Sequence, residues 1–419
     1  MPILIFGSIT SIILARLLGP DLRGSLAIVM LSISLAAALV DSGISVASIQ
    51  LIASEAFSTR EIASTIFFYF LALSMLFAIP SYLILARVSQ LSPLEISYVI
   101  AITSLTVLMT ELRHLLLGSK RFNAYNQSVV FEDLVFLAGI FAAWQLRWLS
   151  LISVLSAYLI SRLLVLLLLI STSVGFKTTC SIAAIRPRII LQAYQQGIHL
   201  LAMQIGTFVS QRINYFLLSY FVGTRSVGLF TAANTIPTMF ANLPQQLSTV
   251  LYAHVSASRD LSHGARLTVS VVKIVAIASV ACLVPIMMFP EAIVSILFGA
   301  QFAGSERTMT LLTIAMLPSA LSGILFNSLA GRAMQKYGTQ MMMINLLVIA
   351  VLSYALLPRM GLQGAAWSNL IASLCSFGFI AAVFSGTFSV KPRDFINLSW
   401  AELKAIVQKP ARRLPLYEP

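Results

Sequence analysis

Gly19-Pro-Asp-Leu-Arg-Gly24 and Gly223-Thr-Arg-Ser-Val-Gly228 are two six-residue windows placed half a chain apart in 419 residues. Each follows an apolar run long enough to cross a membrane, and each opens another. A chain that restarts one pattern at its midpoint reads as two copies of one unit, and duplicated helical bundles are the architecture of secondary transporters. The spacing by itself decides little. With 21 glycines, roughly one such pair is expected by chance, and the chain has a further one at Gly299 and Gly304. Position within each half carries the argument.

Composition sets the class. Hydrophobic residues are 58% of the chain and charged residues 10%, with a mean hydropathy of +0.92. A soluble domain has about 45–50% and about 25%. The apolar runs are too numerous for a signal peptide or single anchor. Buried backbone in lipid must be satisfied internally, which leaves helices or a closed barrel. Runs of about twenty residues without alternation exclude barrel strands. The expected fold is therefore an all-α polytopic membrane protein. It has about twelve transmembrane helices, at 2–18, 24–52, 63–86, 93–118, 129–146, 149–173, 196–222, 226–256, 268–290, 308–330, 339–358 and 362–386.

These group into an N-terminal six-helix lobe (1–173), an inter-lobe linker (174–195) and a C-terminal six-helix lobe (196–386). A basic tail (387–419) follows, in which Ser399-Trp-Ala-Glu402 is a capping-box pattern opening a short amphipathic helix on the membrane surface. The first span is short and directly follows Met1, which reads either as loss of part of a first helix or as the choice of a later start codon. No loop is long enough for a soluble catalytic domain.

The net charge of +13 has a membrane explanation and implies no nucleic acid. Even-numbered loops and the tail carry 16 Lys/Arg against 6 in odd-numbered loops, or 10 against 6 without the tail. The positive-inside rule places both termini in the cytoplasm. Arg23 and Arg225, one in each window, then read as outward-facing loop cations. Cys180, Cys282 and Cys375 are far apart without CxxC, and the four histidines lack ligand spacing, so no disulfide framework, metal or cofactor is expected. Gly19 to Ser25 superficially matches a phosphate loop but lacks its lysine.

Charges within spans mark function or structure. Arg162 and Arg212 sit near the middle of their spans, too deep to snorkel, and read as cavity-lining cations or as members of a structural pair. Arg16 and Arg113, nearer span ends, either snorkel or join the same cavity. With no carboxylate read as comparably deep, the arrangement suits an anionic head group, because the guanidinium fork matches phosphate oxygens. Asp41 in Asp41-Ser-Gly43 is a helix-end aspartate or an ion-coupling group. Glu132 and Asp133 read as capping residues at the start of the fifth span, or as coupling groups for an H+ or Na+ gradient.

The chain resembles the polysaccharide flippases of the multidrug/oligosaccharidyl-lipid/polysaccharide exporter superfamily. The resemblance rests on Leu14-Ala-Arg-Leu-Leu-Gly-Pro20, Gly24, Asp41-Ser-Gly-Ile44, Arg212-Ile-Asn-Tyr-Phe-Leu-Leu218, Gly223, Val227-Gly-Leu-Phe230, Leu297-Phe-Gly299 and Gly361-Leu-Gln-Gly-Ala-Ala366. It implies two six-helix lobes around a central cavity with alternating access in a bacterial inner membrane. It also implies translocation of undecaprenyl-pyrophosphate-linked oligosaccharide, ion-gradient coupling, and partners among membrane lipids and other polysaccharide-assembly proteins. Family members commonly have Arg-x-Asp where this chain has Arg212-Ile-Asn214. The alternatives are a drug or cation exporter of the same superfamily, which calls for deep acidic residues, and a peptidoglycan-precursor flippase, for which fourteen spans are expected. A glycan polymerase or ligase would need a long external loop, and a non-transporting scaffold is also open.

Overall fold

In the computed structural model, residues 2–41, 44–53, 57–88, 92–172, 184–257, 261–332, 334–390 and 393 are described. They form thirteen α-helices and one 3-10 turn, with no strand among them. The helices are α1 (Pro2–Asp41), α2 (Ile44–Ala53), α3 (Thr59–Val88), α4 (Pro93–Gly118), α5 (Phe122–Gln145), α6 (Leu151–Thr172) and α7 (Pro187–Phe221). They continue as α8 (Thr224–Ala257), α9 (Leu261–Met288), α10 (Pro290–Phe298), α11 (Glu306–Ala330), α12 (Lys336–Met360) and α13 (Leu362–Phe388). The expected tail helix at 399–407 lies outside the described residues.

Each of the twelve expected spans falls on helix among the described residues, within a few residues at the ends. Among the described residues nine stretches are long and apolar enough to cross a membrane, one of them the whole of Gly7–Asp41. That stretch holds two expected spans, because α1 bends at Gly19, whose φ of 69° lies in the left-handed region that favours glycine. Pro20 follows as the first residue of the second segment, where its missing N–H costs nothing. Gly223, with φ of 103°, makes the matching turn between α7 and α8. These two helices are long but more polar than the rest, carrying Gln192, Gln195, Gln211 and Arg212 on α7 and Asn234 and Gln245 on α8.

The chain divides into two compact units, residues 1–231 and 232–419. In the first, Ile62, Ile66 and Phe70 of α3 pack with Met109 and Leu112 of α4 and Ile189 of α7. Lipid supplies no hydrophobic drive between helices, so close packing and small residues do the work. Gly139 shows this: a Cβ there would approach Ala157 Cβ to 2.8 Å, so glycine lets α5 lie against α6. In the second unit Leu321, Ile324 and Leu325 of α11 pack with Val269 and Val272 of α9 and Phe384 of α13. Hydroxyl bonds tie the helices together there. Thr268 and Ser328 share one at 2.8 Å, and Ser248 Oγ–H donates to the Gly323 carbonyl at 3.0 Å. Large apolar side chains are left exposed, such as Leu347 and Val351 of α12, as a lipid-facing surface requires.

Helix α4 begins with a full capping box. Ser92 Oγ accepts from the Glu95 N–H at 3.4 Å, and the Glu95 carboxylate accepts from the Ser92 N–H at 2.7 Å. Ser92→Ala is expected to cost about 1 kcal/mol, read as a lower melting temperature in detergent.

Candidate functional site

Two clusters of charged and aromatic side chains lie within the unit 1–231. The first joins α4, α5 and α6. Arg113 Nη2 lies 2.7 Å from Glu132 Oε2, and Arg162 Nε lies 3.0 Å from Glu132 Oε1. All three side chains are buried to 15% exposure or less. Arg113 also donates to the Ser128 carbonyl at 3.0 Å and to Ser128 Oγ at 3.1 Å. Arg162 donates to the Tyr158 hydroxyl one helical turn back, and its guanidinium stands 4.7 Å from the Tyr158 ring centre. Asp133 is close enough to feel both arginines and Glu132. The cluster holds two cations and two carboxyl groups, so it offers no surplus positive charge.

This arrangement corrects three expectations. Arg162 does have a deep carboxylate partner. Glu132 and Asp133 do not cap α5, because that helix starts at Phe122 and places them eleven and twelve residues along it. Arg113, taken as a span-end cation, is drawn inward by the same Glu132. A buried guanidinium is held where its carboxylate and remaining donors are satisfied, and one carboxylate bridging two arginines meets that need. The cavity-lining reading of Arg162 thus gives way to the structural pair.

The second cluster joins α1 and α7. Arg23, three residues beyond Pro20, folds back across the Gly19 bend, and its Nη2 donates to Ser11 Oγ at 2.8 Å. Its Nε is buried without a hydrogen-bond partner among the described residues. The guanidinium is within electrostatic range of the Tyr215 hydroxyl. Arg212 stands over the same ring, 5.8 Å from its centre. Tyr215 is itself buried and held edge-on by Phe230 at 5.0 Å. Arg23 therefore is not an outward loop cation. It lies inside a helix and under-satisfied, on a side chain with five donors. Sequence reading missed it by taking the Gly19-Gly24 window as loop throughout. Proline at a first helical position was the available signal that helix resumes at residue 20.

The remaining expected residues stand apart from these clusters. Arg16 is exposed on the first segment of α1. Asp41 is buried at the end of α1, in electrostatic range of His114 on α4. Arg225 pairs with Asp21 at 2.8 Å in an exposed ion pair. Among the described residues no group of His, Cys, Asp or Glu has the spacing to hold a metal ion.

The architecture is that of a multi-pass membrane protein, and its fold is similar to those of solved MOP superfamily transporters. An inward-facing multidrug resistance MATE family transporter aligns with a TM-score of 0.72 at 15% identity, covering 92% of this chain and 95% of that one. The lipid II flippase MurJ in an inward closed conformation aligns with a TM-score of 0.72 at 14% identity, covering 97% and 90%. A MOP superfamily transporter from Pyrococcus furiosus, described as having a binding pocket of reversed polarity, aligns at 0.62 and 14% identity over 93% and 95%. The family profile described as polysaccharide biosynthesis protein matches residues 13–307. The chain belongs to that family. No curated protein matches it by sequence.

Proposed function

We propose that this protein is a flippase for undecaprenyl-pyrophosphate-linked oligosaccharide, serving assembly of O-antigen, capsule or exopolysaccharide, and not an enzyme. The family match over residues 13–307 carries the reading. The likeness in fold to a lipid II flippase supports a lipid-linked substrate. The substrate moves from the inner to the outer leaflet of the bacterial inner membrane by alternating access, with both chain termini in the cytoplasm.

Arg23 and Arg212, both within electrostatic range of Tyr215, supply the cationic contact for the pyrophosphate. Charge-assisted bonds from guanidinium to phosphate oxygens are short and strong, and they need donors not already spent on carboxylates. Arg113 and Arg162 both stand against the Glu132 carboxylate, at 2.7 and 3.0 Å, whereas Arg23 has no carboxylate partner among the described residues. Arg16, exposed on the same helix, is the third candidate. An H+ or Na+ gradient drives the cycle, with Asp41 beside His114 the first candidate for coupling, and Glu132 and Asp133 held in the ion cluster the second. Membrane lipids and other polysaccharide-assembly proteins are the partners.

A second reading, a drug or cation exporter, is favoured by the fold likeness to a MATE transporter. One experiment separates them. The gene is expressed in a strain lacking its own oligosaccharide flippase, and surface glycan is measured beside resistance to cationic drugs. Restored glycan with unchanged resistance is the expected result. Raised resistance without glycan would replace the flippase reading with the exporter one.

A further inference from the structure

The hairpin of α5 and α6 carries an open groove of about 780 Å³, away from both arginine clusters. Gly139 and Ala142 of α5 and Ala157 of α6 line it, and their small side chains keep its floor low. Arg147 and Trp148 stand at its mouth, in the turn that joins the two helices, and Ile160 lines its far end. Both helices are long and apolar enough to cross a membrane, so the turn lies at the membrane surface and the groove runs from it into the hydrocarbon. Trp148, 74% exposed, suits the head-group level, and the exposed Ile160 suits the apolar zone beneath it. Ser150, which caps α6, and Ile160 both line the groove and are separated by about 15 Å of helix. That is the depth of one leaflet in a hydrocarbon core about 30 Å thick.

Arg147 occupies a position made for another residue. The turn closes α5 with a Schellman motif, in which the Trp148 N–H donates to the Ala143 carbonyl at 2.9 Å and the Arg147 N–H to the Trp144 carbonyl at 3.1 Å. Arg147 takes the left-handed conformation that this motif requires, with φ of 56°. Glycine holds that conformation freely, whereas the Cβ of arginine strains it. Its side chain gives the fold nothing in return, for among the described residues the exposed guanidinium has no ion pair. Helix α6 begins at Leu151, and the positive end of its dipole adds to the charge at the mouth. A strained residue whose side chain supports nothing within the protein points to a ligand outside it. We infer that this groove binds an anionic phospholipid, with one acyl chain over Gly139, Ala142 and Ala157 and the head-group phosphate against Arg147. The guanidinium fork matches phosphate oxygens, and the depth of one leaflet matches one acyl chain. The site is independent of what the protein transports.

The test titrates the full-length protein in detergent with phosphatidylglycerol or phosphatidylethanolamine and counts bound lipid by native mass spectrometry. Phosphatidylglycerol is expected to bind about fivefold more tightly, the share of one cation near a membrane surface. Arg147→Gly is expected to erase that preference while melting no lower than the wild type in lipid-free detergent, because glycine relieves the turn. Ala142→Trp, which fills the groove, should weaken binding of both lipids. Arg359→Gln removes an exposed cation at the end of α12 and should leave the preference intact. Equal affinity of the wild type for the two lipids overturns the proposal. So does an Arg147→Gly protein that still prefers phosphatidylglycerol. An Arg147→Gly protein that melts well below the wild type also overturns it, since the arginine would then serve the fold. A polyprenyl phosphate that displaces phosphatidylglycerol at equal or lower concentration would give the groove to a different lipid and overturn the phospholipid assignment.

Discussion

Glu132→Gln is expected to destabilise the protein by about 3–5 kcal/mol, more than any other single charge change in the described helices. The carboxylate is the common partner of Arg113 and Arg162, at 2.7 and 3.0 Å, with all three side chains largely buried. Removing it leaves two guanidinium groups with only the more distant Asp133 to offset them in a low-dielectric interior. Glutamine keeps the shape and one acceptor but loses the charge that offsets both desolvation costs. Arg162→Met is expected to cost less, because Glu132 keeps Arg113 as its partner, and Met is an apolar side chain of similar length beside Met109. Adding Arg162→Met to Glu132→Gln should recover part of the loss, a coupling that a double-mutant cycle reads directly. The measurement is thermal melting in detergent together with yield of monodisperse protein. A Glu132→Gln protein that melts with the wild type would show that the cluster is solvated and that Arg162 is again free to serve a ligand.

The contrast between the two arginine clusters also shows what sequence reveals in such a chain. Hydropathy placed the helices, since lipid forces every span into the same apolar signature. The bend at Gly19 and the turn at Gly223 were readable because only positive φ explains glycine beside proline or between two spans. The depth of Arg162 was readable too. Its partner was not, because Phe122-Asn-Ala-Tyr-Asn-Gln-Ser128 is polar enough to pass for loop, yet it forms the first two turns of α5. Starting that helix at 129 moved Glu132 to a helix end and left Arg162 without a carboxylate. The same kind of error, earlier in the same N-terminal lobe, turned Arg23 into a loop cation. Pairing is a tertiary fact between residues 19 and 30 positions apart, and hydropathy carries no information about it.

Arg23→Gln should reduce transport by about 10- to 100-fold, the loss of one charge-assisted hydrogen bond worth about 1.5–3 kcal/mol. Stability should hold or rise, and that combination is the diagnostic one. Among the described residues Arg23 donates to Ser11 and has a buried Nε without a hydrogen-bond partner, so the folded protein already bears much of the cost of desolvating this cation. Glutamine retains a donor for Ser11 and removes the charge. A group that destabilises the empty protein yet is required for turnover is doing its work on a ligand. Arg23→Lys should restore part of the activity, since it returns the charge but not the planar fork. Arg212→Gln should act in the same direction, and the double variant should lose less than the product of the two single effects, because both cations address one head group beside Tyr215. Arg225→Gln is the control, for it removes a cation only two positions beyond Gly223 whose exposed pair with Asp21 is worth less than about 1 kcal/mol. The readouts are surface glycan in the complemented strain and melting temperature of the purified protein. If Arg23→Gln transports normally while Arg212→Gln does not, the anion contact belongs to α7 alone. If both transport normally, the cluster around Tyr215 is structural and the pyrophosphate is held elsewhere.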